Sequence, residues 1–558
     1  MPDPRRPPRT ILDHVHDHAA AHPDRVYLTQ PVGAGAVVDY TWAPVLDQAR
    51  RMAAHLQSVG VANGVKVAIL SKNCAHFMIA ELAIWMAGGS TVAIFPTEGP
   101  ETIGFVLGHS EASLVFIGKL DTWELQAPGV PAGMPRIALP LAPAGAGEPW
   151  DAIVARSAPL PGRPNRAPDD IAILIYTSGS TGQPKGVMHS FAGVGAAAEG
   201  IVAAVGYGDD ERFLSYLPLA HVAERAFIEC ASFVCGGHMF FAESLDTFVA
   251  DLQRARPTMF LSVPRLWLKF QCGVFAKLPK RTLGFLLRLP IVGRLMGRKV
   301  LANLGLDSVR VAGSGTAPIP AELIDWYRSL GLNLLEGYGM SEDFGYSHFS
   351  TQEKHRVGYV GAPFPGVLVR ISAEHEVQVK SPGRMVGYYK RPDLDAESFT
   401  ADGYFRTGDQ GERDADGMLK LTGRLKELFK TAKGKYVAPA PIENLLNADP
   451  AVELAMVSGV GREAAYALVV PNEELRKRVA DPDVRAQLET DLAALLKRVN
   501  AELASYEQLR MLVVAREPWS IENGCLTPTM KIKRARIEAR VEARLDAWYA
   551  VKAPVQWE

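Results

Sequence analysis

The chain predicts an α/β fold in two parts: a large multi-layer N-terminal domain over residues 1–423, then a small, lid-sized α+β domain over residues 424–558. Three observations carry that expectation. The 558 residues, 48% of them apolar, exceed what one core usually supports and can fill at least two. Between residues 63 and 118, apolar runs such as VKVAIL (65–70) and SLVFIG (113–118) alternate with the helical pattern HFMIAELAIWMAG (76–88), as layered α/β architecture requires. After Gly403 the composition changes to charged turns (DADG, 414–417) and then GRLKELFKTAKGKYVAPAPIE (423–443), which reads as a domain junction.

The apolar segment 77–88 is too short for a spanning helix, which needs roughly 20 residues, and it carries Glu81, so a buried helix is expected. Residues 127–169 are rich in proline, alanine and glycine and read mostly as surface connection. In the C-terminal part, VELAMVSGV (452–460), AYALVVP (465–471) and MLVVAR (511–516) read as strands, with an amphipathic helix over 484–503. No solenoid-type repeat is present. Residues 1–9 are rich in proline and arginine without the apolar segment of a secretory signal, so disorder there and a cytoplasmic location are expected. Five scattered cysteines form no C-x-x-C pair, which argues against a zinc site or a disulfide framework. A formal charge of −1 argues against nucleic acid as the partner, and no feature calls for an obligate protein partner.

Residues 176–186, YTSGSTGQPKG, follow the apolar run 171–175. Gly179 and Gly182 leave room for an anion, Thr177, Ser178, Ser180 and Thr181 add hydroxyl donors, and Lys185 adds positive charge. Backbone N–H groups of such a loop form an anion-binding nest, and the whole suits a polyphosphate. A Walker loop has Ser or Thr directly after its lysine, whereas Pro184 precedes Lys185 here and Gly186 follows it. The stretch resembles the phosphate loop of the acyl-adenylate-forming superfamily, which includes acyl-CoA synthetases, luciferases and peptide-synthetase adenylation domains. Those loops often run on to a Thr-His pair. Here the order is His189, Ser190, Phe191, and His189 reads as a surface or packing residue.

The resemblance extends along the chain and implies ATP, Mg²⁺ and CoA as the molecules handled, in an adenylate-forming domain with a mobile C-terminal lid. EGYGMSE (336–342) resembles the superfamily's second core motif, which brings Tyr338, Gly339 and Ser341 to the nucleotide and assigns Mg²⁺ to Glu342, with Thr177 as a second ligand. A turn followed by a capping Ser and Glu has the same appearance. Gly315, Thr316 and Ala317, within VRVAGSGTAP (309–318), correspond to the adenine-binding segment, although ordinary turns share that pattern. YFRTGDQG (404–411) implies that Asp409 accepts from both ribose hydroxyls, and GRLKE (423–427) implies Arg424 at the ribose and Lys426 at the hinge of the small domain. NGCLTPTMKIKR (523–534) resembles the mobile loop whose lysine reaches the reacting carboxylate and α-phosphate. Lys531 fits best, and Lys533 is the other candidate.

LSYLPLAHVAER (214–225) and PTMFLSVPRLWLKF (257–270) resemble long-chain acyl-CoA synthetases, which sets His221 between nucleotide and acyl pocket, and TAKGKYVAPAPIE (431–443) favours CoA as acceptor. Catalysis would then rest on Lys531, Lys185 and His221, with a fatty acid as substrate. An acyl-AMP ligase loading a carrier protein is the nearest alternative, and a non-catalytic fatty-acid or nucleotide sensor a more distant one. Residues 269–299 carry eight Lys or Arg and no acid, interleaved with apolar blocks. Such a segment either rests on an anionic membrane surface or packs as a cationic helix pair on its own domain.

Overall fold

A computed structural model describes residues 9–178, 183–521, 523–527 and 530–558. The chain forms a large N-terminal domain with a smaller C-terminal domain, in mixed α/β architecture. At the centre of the large unit lies an eight-stranded sheet. Its order runs Gly387–Tyr388, Pro184–Ser190, Ile171–Ser178, Ser90–Ile94, Lys66–Leu70, Ala112–Ile117, Arg136–Ala138, Glu148–Pro149. Strand residues alternate between two cores. Val67, Ile69, Ala93 and Ile175 face one with the helix Ala75–Ala87, while Ala68, Leu70, Val92 and Leu174 face the other with the helix Pro100–Ser110.

Helix Ala75–Ala87 is buried at every position, which explains why its sequence is apolar all round. Among the described residues no helix is long and apolar enough to cross a membrane. The 127–169 segment does more than connect, because it contributes the last two strands at one edge of this sheet and the helix Trp150–Arg156, whose Trp150 is in the core. Its proline and glycine content hides that role, since two- and three-residue strands leave no periodicity to read.

A second sheet has the order Met259–Ser262, Val311–Ser314, Leu334–Tyr338, His348–Phe349, Ala362–Pro363, with the first three strands parallel. Beside it, Arg212–Ser215 pairs in parallel with His238–Phe241. A four-stranded antiparallel sheet then carries Phe405–Arg413 against Leu419–Arg424.

In the C-terminal unit, Val452–Ser458, Ala465–Pro471, Leu509–Val514 and Val555–Trp557 form one sheet between two apolar layers. Val457, Val469 and Leu512 pack on the helices Pro439–Asn447 and Pro482–Glu502, and Met456, Leu468 and Met511 pack on Trp519, Ile537 and Trp548. The fourth strand and the helix Arg534–Val541 were not apparent in the sequence pattern.

Candidate active site

The candidate residues collect where strands end. Thr177 closes Ile171–Ser178, 315–317 follow Val311–Ser314, 339–342 follow Leu334–Tyr338, and the His221 segment follows Arg212–Ser215. The crevice beyond the carboxyl ends of parallel strands is where open α/β sheets bind ligands.

Pro184–Ser190 returns antiparallel to Ile171–Ser178, with Thr177 opposite Lys185, so the strand before the motif and the strand after it form a hairpin. A Walker loop leads from a strand into a helix, so this topology accords with the departure in sequence. Gly179, Ser180, Thr181 and Gly182, together with the side chain of Ser178, lie outside the described residues. The ammonium of Lys185 stands 5.2 Å over the ring of Tyr388, whose strand flanks the hairpin with Tyr388 opposite Val187. Tyr388 donates its hydroxyl to Glu342 Oε1 at 2.7 Å. One tyrosine therefore ties the hairpin lysine to the glutamate, a contact that nothing in the sequence around residue 388 announced.

Glu342 sits in the short turn Ser341–Asp343. That turn is held from below. The Ser341 carbonyl accepts from His189 Nε2 at 2.7 Å, and Asp343 Oδ1 accepts from the Met340 N–H at 2.9 Å. His189 is fully buried against Phe344 and is not a surface residue; burial pushes its pKa down to about 4, so it donates as a neutral ring. Burial likewise pushes Asp343 up to about 7, with the Glu342 charge adding to the rise.

At the far end, Asp409 pairs across the strands with Arg424 and accepts from its Nε at 2.8 Å, while Asp409 Oδ2 accepts the Tyr338 hydroxyl at 2.6 Å. Each carboxylate oxygen keeps a further lone pair for a ligand hydroxyl. Thr316, between Gly315 and Ala317, has φ +67°, a left-handed conformation that is costly for a β-branched residue and is found mostly where a site demands it. Lys426 is exposed in the tight turn between Leu419–Arg424 and Phe429–Lys430, with no ion pair to a described residue.

His221 caps the short helix Val222–Glu224 by accepting the Ala223 N–H on Nδ1 at 3.1 Å, which leaves its proton on Nε2. Burial, and after it the charge of Lys531, pushes His221 down to about 3. The segment is pinned by Glu224, which accepts from Ser215 Oγ at 2.6 Å, the Tyr216 N–H at 3.1 Å and Asn73 Nδ2 at 3.2 Å, and which burial pushes up to about 8. Neither Asn73 nor Glu224 carried a chemical signal in the sequence.

Lys531 completes the arrangement from the C-terminal unit. Loss of hydration lowers its pKa first and Arg424 adds to that, while Asp409, Glu342 and Glu427 oppose it. Lys531 therefore feels the charges of Asp409 and Glu342 together, and the residue remains exposed. Lys533 acts elsewhere, on Glu98. The Lys531 backbone is held by its N–H to Thr527 Oγ1 at 3.1 Å and by the bridge between Leu526 and Ile532. Glu427 lies 3.6 Å from Arg534 and 4.0 Å from Arg424, at the junction of the two units.

The oxygen donors Glu342 and Thr177 suit a hard divalent cation. Among the described residues no group of three or more His, Cys, Asp or Glu side chains could hold a metal by itself. Glu342 and Thr177 would hold such a cation together with substrate phosphates and water.

The AMP-binding enzyme family matches residues 15–389, and the AMP-binding enzyme C-terminal domain matches residues 427–553. The chain is 32% identical to the long-chain-fatty-acid–CoA ligase FadD15 of Mycobacterium bovis, over 97% of this chain and 98% of that protein. It is 30% identical to human long-chain-fatty-acid–CoA ligase 1, over 87% of this chain and 78% of that protein. Among solved structures, the A-PCP didomain of carboxylic acid reductase from Segniliparus rugosus, in complex with AMP, superposes with a TM-score of 0.80 at 22% identity, covering 98% of this chain and 83% of that one. That last likeness is one of fold.

Proposed function

The chain belongs to the AMP-binding enzyme family, and from that premise we propose that it is an ATP-dependent acid–thiol ligase taking long-chain fatty acids to their CoA thioesters. The supporting observation is that Lys531, from the C-terminal unit, lies near enough to Glu342, Asp409 and His221 of the large unit for their charges to act on one another, beside the Arg424–Asp409 pair. The name of the acid rests on the relatives and on the 214–225 segment. In a first step a carboxylate oxygen of the fatty acid attacks the α-phosphorus of ATP. The bond to the bridging oxygen breaks, and pyrophosphate leaves with the electron pair. Lys185 and Lys531 offset the negative charge that builds on the phosphates as this happens.

Asp409 accepts the ribose hydroxyls, Arg424 keeps Asp409 oriented, and 315–317 give the adenine a close approach to the backbone. A Mg²⁺ held by Glu342 and Thr177 would supply further positive charge at the phosphates. Tyr388 fixes the orientation of Glu342. His221, neutral through burial, lines the path between nucleotide and acyl chain without carrying charge into it. In the second step the small domain turns about Lys426 and withdraws Lys531. The CoA sulfur then attacks the acyl carbon, AMP leaves, and the thiol proton goes to solvent. Five free thiols, four of them buried, accord with a reducing cytoplasm as the location.

Product analysis with ATP, Mg²⁺ and fatty acids of increasing length, with and without CoA, tests the reading. AMP and acyl-CoA formed only when CoA is present are expected. Acyl-AMP accumulating with CoA ignored would replace the acceptor with a carrier protein, and no acid-dependent pyrophosphate would leave only a sensor.

A further inference from the structure

The helices Lys280–Leu287 and Pro290–Leu304 form a hairpin with two faces of opposite character. One face is anchored. Leu283, Val300 and Leu301 are buried, and Leu301 and Val300 join the core that holds Trp267 and Tyr327. Two glycines set the distance, because a Cβ on Gly293 would meet the Leu287 carbonyl oxygen at 2.4 Å and one on Gly297 would meet that of Leu330 at 2.5 Å. The hairpin is therefore packed as closely as backbone allows, and what it leaves outside is not the result of loose docking.

The other face is apolar and cationic. Phe285 is 65% exposed, Ile291 77% and Leu295 62%, with Leu289 and Val292 beside them. Five large apolar side chains bared within 11 consecutive residues, 285–295, form a patch of a kind that monomeric surfaces rarely carry without a use. All eight cations of residues 269–299 are exposed, and none lies within 4.0 Å of a described carboxylate. Arg294 and Arg298 are four residues apart on one helix, a like-charge spacing that costs helix stability unless an anion is supplied from outside.

We propose that this face docks on an anionic lipid surface. Apolar side chains flanked by unpaired Arg and Lys match the boundary between acyl chains and negative headgroups, which takes both at once. A protein partner would have to offer acidic groups around an apolar groove, whereas a bilayer offers both along any length. Among the described residues no helix is long and apolar enough to cross a membrane, and the proposed contact is with the bilayer surface. It stands whichever acid and acceptor the enzyme uses.

Co-sedimentation of the full chain with vesicles tests this, comparing phosphatidylcholine alone with phosphatidylcholine plus phosphatidylglycerol. Binding is expected only to the anionic vesicles and should weaken as salt rises. The charge reversal R288E/R294E/R298E should weaken it at least about a hundredfold, and F285S/I291S/L295S about tenfold or more. Both variants change exposed residues only, and an unaltered melting midpoint shows that each is folded. Equal binding to neutral vesicles, no binding, or undiminished binding by the charge-reversed chain overturns the proposal. So does lipid-free self-association of the wild type that the serine variant abolishes, because the face then belongs to a second copy of the chain.

Discussion

The molecule holds two clusters of opposite charges built from similar residue types in different surroundings, one inside the large unit and one where the two units meet. In one, Arg225 Nη1 lies 2.7 Å from Glu81 and 3.3 Å from Glu229, and all three side chains are completely inaccessible to solvent. In the other, Arg424 holds Asp409 at 2.8 Å with Lys531 close by, yet the Arg424 side chain is 56% exposed. Both clusters shift the ionisation of their members. Burial and the Glu81 charge hold the Glu229 carboxyl well above the usual range, and loss of hydration lowers Lys531. A perturbed ionisation is thus no mark of a site by itself. Access to solvent separates them: the first cluster cross-links the helix Ala75–Ala87 to the π-helical segment Arg225–Cys230, and the second leaves its arginine exposed.

If that contrast is right, the dry cluster fails in stability and the wet one in chemistry. Arg225→Ala removes the only cation among three buried groups and should cost about 3–5 kcal/mol of stability. Denaturant unfolding measures this, and the remaining folded fraction should keep its Michaelis constants. Lys531→Ala should lower acyl-AMP formation about a hundred- to thousandfold while leaving the melting midpoint and thioester formation from supplied acyl-AMP unchanged. Equal loss in both half-reactions would contradict the domain rotation.

The same lysine predicts a pH signature. A lysine whose pKa is lowered from 10.5 loses its proton earlier as pH rises, so the alkaline fall in acyl-AMP formation should begin below that value. Lys531→Arg should move that limb upward, since guanidinium stays charged. The smallest effect is expected from Tyr388→Phe, which deletes one hydrogen bond to Glu342 and should cost about 0.5–1.5 kcal/mol, up to about tenfold in kcat/KM. A larger loss, seen as a stronger Mg²⁺ requirement, would mean that Tyr388 does more than orient the carboxylate.

How much of this was legible in the sequence depends on how local the signal is. The strands 65–70 and 113–118 and the buried helix between them were readable, because each is a continuous, mostly apolar run of five or more residues. The strand returning through Lys185 was less so: its register becomes visible only when Tyr176, Thr177 and their partners face each other. His189 was ambiguous between surface and packing, since only the Ser341 carbonyl, 152 residues away, decides that it is buried. The basic segment 269–299 left open whether its apolar residues turn inward. Leu283, Val300 and Leu301 do, and Phe285, Ile291 and Leu295 do not.

The sequence by itself determined the kinds of groups available. A glycine- and hydroxyl-rich loop with a lysine, a Tyr-Gly-Met-Ser-Glu turn, a Gly-Asp strand and a late basic loop are strings of adjacent residues whose chemistry depends on nothing distant. Only the tertiary structure decided which of them share a cleft. It brought Lys531 within reach of the charges of Asp409 and Glu342, set Tyr388 between Lys185 and Glu342, and sealed Arg225 away from water while leaving Arg424 wet. The reason is physical. Charge, hydration and hydrogen bonding act over a few ångströms in space, and these partners are brought that close by sheets and cores assembled from segments tens to hundreds of residues apart.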